Sequence, residues 1–558
     1  MLSCKQCAQT FTIAPQDQKI LDTFDAPAPK LCRECNLKQR LAFRNERNLF
    51  RRTCEKCHKS ILALYSKAST AHVYCRECWY NDTWDTTQYG RDYDPARPFF
   101  DQMKELTRAV PVFNLWQIGQ NENCDYTNAA MNCKDCYFLF SALEDVGCVY
   151  CEQMGYSKDC SNCLHVDYGE LMYDCVTVNT GYKCAGLLDS DKCTECYLGR
   201  DLTDCQNCFG CVNLKHKQYY WYNEPLEKTE YERRLAEALA TRESWAAHQQ
   251  KFTQHAAKYP RRFARKKNTE GTGYELTNSS DIRQCIIVWE SQNCGESMDV
   301  FNSKDVYRCN HMGWLENTYQ VATSVNVTYS LGVFGSEYAA FLNYCYLCFN
   351  SENLFGCSGL RKKKFCILNK QYSEEAYKKL RAKIISDMKA RGEWGQFFPT
   401  QLSLLPYNET MAQRYFPLTK EEARKQGFMW NDETAGLRNK ETLPPDKVPN
   451  KIPATPDTIT KEILRCTSCD NNYRILTQEL KILRALHIAV PLECQDCSHK
   501  NRLKHYLNPF LRQHQCDCTK RHPQHAATDR CPNTFETIWS HQPEPIFCKT
   551  CFEAELGD

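Results

Sequence analysis

The sequence predicts a multi-domain, β-rich chain. Small cysteine-knuckle modules at both ends flank a duplicated, β-solenoid-like, cysteine-rich core with interspersed helices. Three observations predict this. The chain has 558 residues and 38 cysteines, enough length for several cores and a thiol content well above ordinary usage. Cys-x-x-Cys pairs stand at matched spacings near both ends. Between them the cysteines recur at multiples of three, in two copies displaced by 146 positions.

The ends come first. Cys4 and Cys7 are followed, after 24 residues, by Cys32 and Cys35; Cys466 and Cys469 are followed, again after 24, by Cys494 and Cys497. An ungapped displacement of 462 also superposes Ile13 on Ile475, Gln16 on Gln478, Lys19-Ile20-Leu21 on Lys481-Ile482-Leu483 and Arg40-Leu41 on Arg502-Leu503. A Cys-x-x-Cys turn aims two thiolates at one ion, and two such turns complete the closed tetrahedron of structural zinc. The metal then supplies folding energy to a segment with little core of its own. A second site follows each: Cys54, Cys57, Cys75 and Cys78 at the N-terminal end, and Cys516, Cys518, Cys531, Cys548 and Cys551 at the other. There, five cysteines compete for four places, with His522 and His525 as further candidates. Cys548 and Cys551 are the expected ligands, and the other two stay open. "CEKCH" (54–58) also matches a c-type haem attachment pattern, but haem would orphan Cys75 and Cys78. The expectation is about four structural zinc ions.

"CKQCAQTFTIAPQDQKILDTFDAPAPKLCRECNLKQR" resembles the zinc-ribbon, treble-clef-like domain family: two knuckles, an aromatic-containing hairpin, a proline before the second knuckle and a basic helix after it. Residues 466–504 resemble it too. Leu37 and Ser498 stand near positions where that family tends to be basic. The whole layout resembles long cysteine-rich zinc-ribbon proteins of candidate-phyla bacteria, a group with no established activity. The resemblance implies zinc and a small fold at each end.

In the middle, Cys124, Cys133, Cys136, Cys148, Cys151, Cys160, Cys163, Cys175, Cys184, Cys193, Cys196, Cys205, Cys208 and Cys211 share one phase of three. Cys285, Cys294, Cys309, Cys345, Cys348, Cys357 and Cys366 share another. Neither the helical nor the strand period locks on three. Short solenoid coils that stack thiols inward do, and cysteine is among the most buried residue types. "CQNCFGC" (205–211) opens like an iron–sulfur motif but lacks its continuation; additional zinc on these pairs is the other metal reading. "SKDCSNCLHVDYGELMY" (157–173) returns as "SKDVYRCNHMGWLENTY" (303–319), repeating Cys163-x-His165 as Cys309-x-His311. That set is either a twinned metal or acid/base site or the interior of a duplicated scaffold, and the scaffold is expected. Each half then enters a helix, with a capping box expected from Thr229 and Glu232 and an N-cap at Ser373.

The expected organisation is tandem zinc-ribbon modules (1–80), an aromatic connector (81–118), cysteine-rich repeat A with its helix (119–258), a basic linker (259–273), repeat B with its helix (274–392), a proline-rich linker (393–460) and tandem zinc-ribbon modules (461–558). No window approaches 18 apolar residues, and the first residues carry no secretory h-region, so the expectation is a cytoplasmic chain without a membrane partner. Basic residues outnumber acidic ones 14 to 7 in 1–80 and 12 to 7 in 460–530, whereas 120–224 has 7 basic and 16 acidic. The chain has no P-loop, dinucleotide fingerprint, Gly-x-Ser-x-Gly or His-Glu-x-x-His.

The functional expectation is therefore a non-enzymatic zinc protein that binds nucleic acid or a ribonucleoprotein. Its contacts would come from Arg33, Lys38, Arg40, Arg44, Arg47, Lys500, Arg502 and Lys504 at the ends and from Arg261, Arg262, Arg265, Lys266 and Lys267 between the repeats. The alternatives are a metal- or iron–sulfur-dependent enzyme or redox protein using the central Cys/His sets, and a scaffold for protein partners.

Overall fold

The computed structural model describes residues 1–556 except 165, 167–168, 180, 311–315, 322–324, 434–435, 507 and 523–529. Strands dominate, with helices at both ends and after each repeat. Among the described residues no helix is long and apolar enough to cross a membrane.

Between residues 117 and 221, and again between 266 and 367, short strands run parallel, and nearly all pair twelve positions on. Phe140 pairs with Glu152, Val176 with Leu188 and Gln206 with Gln218. In the second run Ser280 pairs with Gln292, Lys304 with Glu316 and Ala340 with Glu352. An antiparallel strand ends each run, Glu224–Pro225 on Gln218–Trp221 and Lys370–Gln371 on Lys364–Ile367. We refer to the two runs as the first and second ladders.

Backbone geometry explains the phase of three. Asn123, Tyr126, Ala129, Asn132, Asp135, Phe138, Ser141 and Glu144 all have φ between 50° and 55°. A left-handed residue at every third position turns the chain, at a cost of about 1–2 kcal/mol for each side chain other than glycine. Ladder hydrogen bonds offset that cost. Asp135 and Phe138 donate back to the carbonyls of Glu122 and Asp125, while Lys134 and Tyr137 donate forward to those of Asp145 and Cys148, all at 2.9–3.0 Å. The residue after each corner points inward, so Cys124, Cys133, Cys136 and Cys148 follow the left-handed Asn123, Asn132, Asp135 and Gly147.

The inward positions form two buried clusters. Cysteines pack with Leu139, Val166 and Val178 in the first ladder, and with Ile282, Val300 and Leu354 in the second. A thiol suits such a stack because it is small and apolar yet a weak donor. Cys163 Sγ donates to the Ser161 and Met172 carbonyls at 3.0 and 3.7 Å, and Cys285 Sγ to those of Arg283 and Cys294 at 3.3 and 3.4 Å. All 38 cysteines are described, and none is in a disulfide.

Outside, aromatic side chains stack along the same twelve-residue step: the Phe209 and Trp221 rings are 4.1 Å apart, and those of Tyr307 and Tyr319 5.5 Å. Helices Lys228–Leu239 and Arg242–Ala256 cover the first stack with Tyr231 and Trp245. The first of these begins at Lys228 after Glu227 with no side-chain cap, two residues earlier than Thr229 and Glu232 suggest; Thr241 caps the second. Ser373 caps helix Glu374–Ala390 as expected, accepting from the Ala376 N–H.

Residues 393–460 are not a free linker. Trp394, Phe398, Leu404 and Tyr407 are buried, and Met411–Tyr415 and Lys420–Lys425 are helical. The proline content of 432–457 disguises what precedes it. Residues 259–273 likewise contribute a strand, Arg261–Arg262, paired with Ile546–Phe547.

The ends dock crosswise. The first N-terminal module lies on the second ladder: Asn36 Nδ2 donates to Gln320 Oε1 at 2.9 Å, Arg40 Nη2 to Asn310 Oδ1 at 2.8 Å, and Arg308 to the Leu31 carbonyl at 3.0 Å. Its C-terminal counterpart lies on the first ladder, with Gln478 Nε2 donating to Asp159 Oδ1 at 3.1 Å and Arg502 Nη1 to Asp174 Oδ1 at 2.9 Å. Arg502 corresponds to Arg40 at the 462 displacement, and Asp174 to Gln320 at the 146 displacement. Where the ladders meet, Gln153 donates to Asp299 at 3.3 Å. Those two positions are 146 apart, as residues flanking the axis of an isologous contact would be.

Candidate metal centres

Four sets of four sulfurs converge: Cys4/Cys7/Cys32/Cys35, Cys54/Cys57/Cys75/Cys78, Cys466/Cys469/Cys494/Cys497 and Cys516/Cys531/Cys548/Cys551. Within each, every Sγ lies within 4.8 Å of the others. The first knuckle of a set sits on a short hairpin, such as Leu2–Ser3 with Thr10–Phe11 or Leu464–Arg465 with Asn472–Tyr473. The residue after the knuckle is left-handed in three of them: Ala8 at φ 61°, His58 at 60° and Asp470 at 60°. That turn folds the second sulfur back beside the first.

The second knuckle opens a helix in all four. Cys32, Cys75, Cys494 and Cys548 are the N-caps of Arg33–Leu41, Arg76–Tyr80, Gln495–Leu503 and Lys549–Glu555. N–H groups there favour thiolate. The backbone N–H groups of Cys75, Cys494 and Cys548 each donate to the sulfur of the paired first knuckle (Cys54, Cys466 and Cys516) at 3.2 Å. Burial works to raise the Cys54 thiol, but N–H donors from Cys57, Cys75 and Lys56 outweigh it and bring it down to about 6.

The spacing fits a tetrahedral thiolate ion. With metal–sulfur bonds of about 2.3 Å, the tetrahedron edge is about 3.8 Å. The observed separations are 3.7 Å for Cys7–Cys32, 3.8 Å for Cys57–Cys75, 3.6 Å for Cys469–Cys494 and 3.7 Å for Cys531–Cys551. The competition among the last five cysteines resolves in favour of Cys516 and Cys531. Cys518 falls outside the tetrad and faces His522 and Cys551; His525 lies outside the described residues. The chain between Cys518 and Cys531 displaces the register, which is why the 462 alignment slips there.

All five candidate groups found among the described residues are in the terminal modules. Cys205, Cys208 and Cys211 belong to the buried stack. Burial pushes the Cys285 thiol up to about 11 and the Cys309 thiol up to about 12, the direction of inert packing at those two positions, whereas hydrogen bonding to Cys148 lowers Cys136 and Cys160.

Much of the repeated 157–173 set is ladder furniture. Asp159 and Asp305 are left-handed corners at φ 49° and 55°. Cys163 and Cys309 are buried, and Lys158 pairs with Glu170 across 3.6 Å at the surface. His165 and His311 lie outside the described residues.

The basic residues divide sharply. Arg40, Arg44, Arg261 and Arg502 are buried. Arg33 donates to the Gln284 and Pro509 carbonyls, Lys38 to Gln426, and Arg44 to Glu46. Arg47 lies 3.5 Å from Asp496 and over Phe138, Arg261 pairs with Glu544, Arg262 with Asp201, and Arg265 with Glu275. Lys266, Lys267, Lys500 and Lys504 are exposed. The helices opened by Cys32 and Cys494 thus turn much of their basic surface into the molecule.

Two groups of residues went unread in the sequence. Glu152 is fully buried and holds Arg414 at 2.7 Å and His499 at 3.3 Å, joining the first ladder, the 410s helix and the C-terminal module. No local pattern announces it. Asp17 and Glu479, both buried, occupy one position at the 462 displacement, so a closer alignment of the two ends would have found them. Asp17 binds Arg283 at 2.6 Å; Glu479 accepts from the Leu476 N–H and from Gln495.

No protein-family model matches the chain, and no curated protein matches it.

Burial raises the Glu479 carboxyl to about 8. A carboxyl raised on folding contributes stability below its unfolded pKa and loses it as pH climbs through the folded value. The thermal midpoint should therefore fall as pH rises from about 4.5 to about 8 and level off above it, and Glu479→Gln should remove part of that slope. An unchanged slope in the variant would show that the carboxyl does not titrate there.

Proposed function

We propose that the chain is a zinc-dependent, non-enzymatic scaffold of the reducing cytosol. Four structural zinc ions in zinc-ribbon, treble-clef-like modules fasten a duplicated solenoid of twelve-residue coils, and the outer faces of that body present binding surfaces to protein partners. The observation that carries this reading is the crosswise docking: Arg40 and Arg502, each on a helix opened by a cysteine knuckle, are buried against the more distant ladder. Loading of each tetrad is thereby coupled to the arrangement of the whole body.

The test is elemental analysis of the anaerobically purified full chain, followed by chelation with hydrogen exchange as readout. The expected result is bound zinc whose removal deprotects the docked faces around 147–164 and 169–174 and around 283–310 and 316–320; no zinc, or unchanged protection, would sink the reading. Titration with a labelled single-stranded RNA at two salt concentrations separates it from the nucleic-acid alternative. Tight binding that collapses with salt would make the exposed lysines the functional surface instead.

A further inference from the structure

The last module contains more ligands than its tetrad uses. Cys518 Sγ, a ring nitrogen of His522 and Cys551 Sγ all lie within 4.8 Å of one another. His522 Nε2 is 3.0 Å from Cys551 Sγ, and Cys551 Sγ is 3.7 Å from Cys531 of the tetrad. Cys551 is the corner common to both groups. Cys518 is 0% exposed and Cys551 1%, whereas His522 is partly exposed. The Cys531 N–H donates to the Cys518 carbonyl at 2.8 Å, which ties the extra ligand to the tetrad backbone.

We infer that this module holds a second thiophilic divalent cation beside its tetrad, bound by Cys518, His522 and a bridging Cys551. A thiolate has lone pairs enough to serve two ions. Three protein ligands leave a fourth tetrahedral position for water or an exogenous anion or thiolate, which distinguishes this site from the four closed tetrads. Among the described residues the N-terminal end has no counterpart group, and Lys56 stands at the 462 displacement from Cys518. The site is thus peculiar to the C-terminal end and goes beyond the scaffold role.

The experiment is zinc counting on the full chain purified without air, by elemental mass spectrometry against quantitative amino-acid analysis. The expected counts are five for the natural sequence and four for Cys518→Ser and for His522→Ala. A colorimetric chelator should take the fifth ion in a separate fast phase, since an open site releases metal more readily than a closed one. His522→Ala alters only a partly exposed ring and carries the test even if Cys518→Ser disturbs the fold. Four ions in the natural sequence, or five in His522→Ala, would overturn the inference while leaving the scaffold reading intact; absence of zinc would overturn both.

Discussion

Cys494→Ser is expected to release the C-terminal module and to expose the ladder nearest the other end of the chain. Structural zinc in small modules is worth about 10–16 kcal/mol of apparent binding energy at neutral pH, and that energy is folding energy. Residues 466–504 contribute Ile475, Leu480, Ile482 and Leu483 to a shared cluster that also contains Tyr173, Tyr197 and Phe209 of the first ladder. Without the ion, the hairpin and helix lose the point that holds them together, and the Arg502–Asp174 and Gln478–Asp159 contacts go with them. Hydrogen exchange should then rise in 466–504 and around 147–164 and 169–174, while 283–310 and 316–320 stay protected. Cys32→Ser should give the reverse pattern. Exchange rising in the same ladder for both variants would contradict crosswise docking.

Glu152→Ala is expected to cost about 3–5 kcal/mol, because it strands a buried guanidinium. Glu152 is 0% exposed and its nearest cation is Arg414 at 2.7 Å. Burial, followed by the charges of Arg47 and Arg414, holds His499 well below the usual imidazole range, so this ring stays neutral and the ion pair is that of Arg414. The paired change Glu152→Leu with Arg414→Met should cost less than Glu152→Ala alone, since it leaves no charge behind. Denaturant unfolding of the single and paired variants checks this. A Glu152→Ala cost within about 0.5 kcal/mol of zero would place the carboxylate in a solvated setting, as for ordinary surface substitutions.

The tetrads were legible because metal ligation is local. Each knuckle is four residues of chain, and in the first tetrad at each end the 24-residue interval brings the second pair to the first through one hairpin and one helix. Legibility failed where the spacing was broken, between Cys518 and Cys531, because sequence separation says nothing of how an intervening loop folds. The phase of three was visible in the cysteines, but its cause, a left-handed corner at every third residue, was not. Those corners are occupied by Tyr126, Phe138 and Glu144 as well as Asn123 and Asp135, so no glycine or asparagine pattern marks them.

The basic residues misled for a related reason. Net charge along a chain records which residues are cations and not which carbonyls or carboxylates meet them after folding. Arg40 and Arg502 read as one repeated basic feature, and they are one, but each points into a ladder.

By itself the sequence determined where the cysteine-rich centres lie, the duplication and the phase of three, all of which rest on contacts between residues close in the chain or repeated at fixed spacing. Only the tertiary structure decided which end lies on which ladder, that residues 394–428 build core, and that most of the arginines at the two ends are spent on internal partners. Those outcomes depend on pairings such as Arg40 with Asn310 and Arg502 with Asp174. They join segments hundreds of residues apart, where no spacing rule operates and only the burial and hydrogen bonding of the folded chain select the partner.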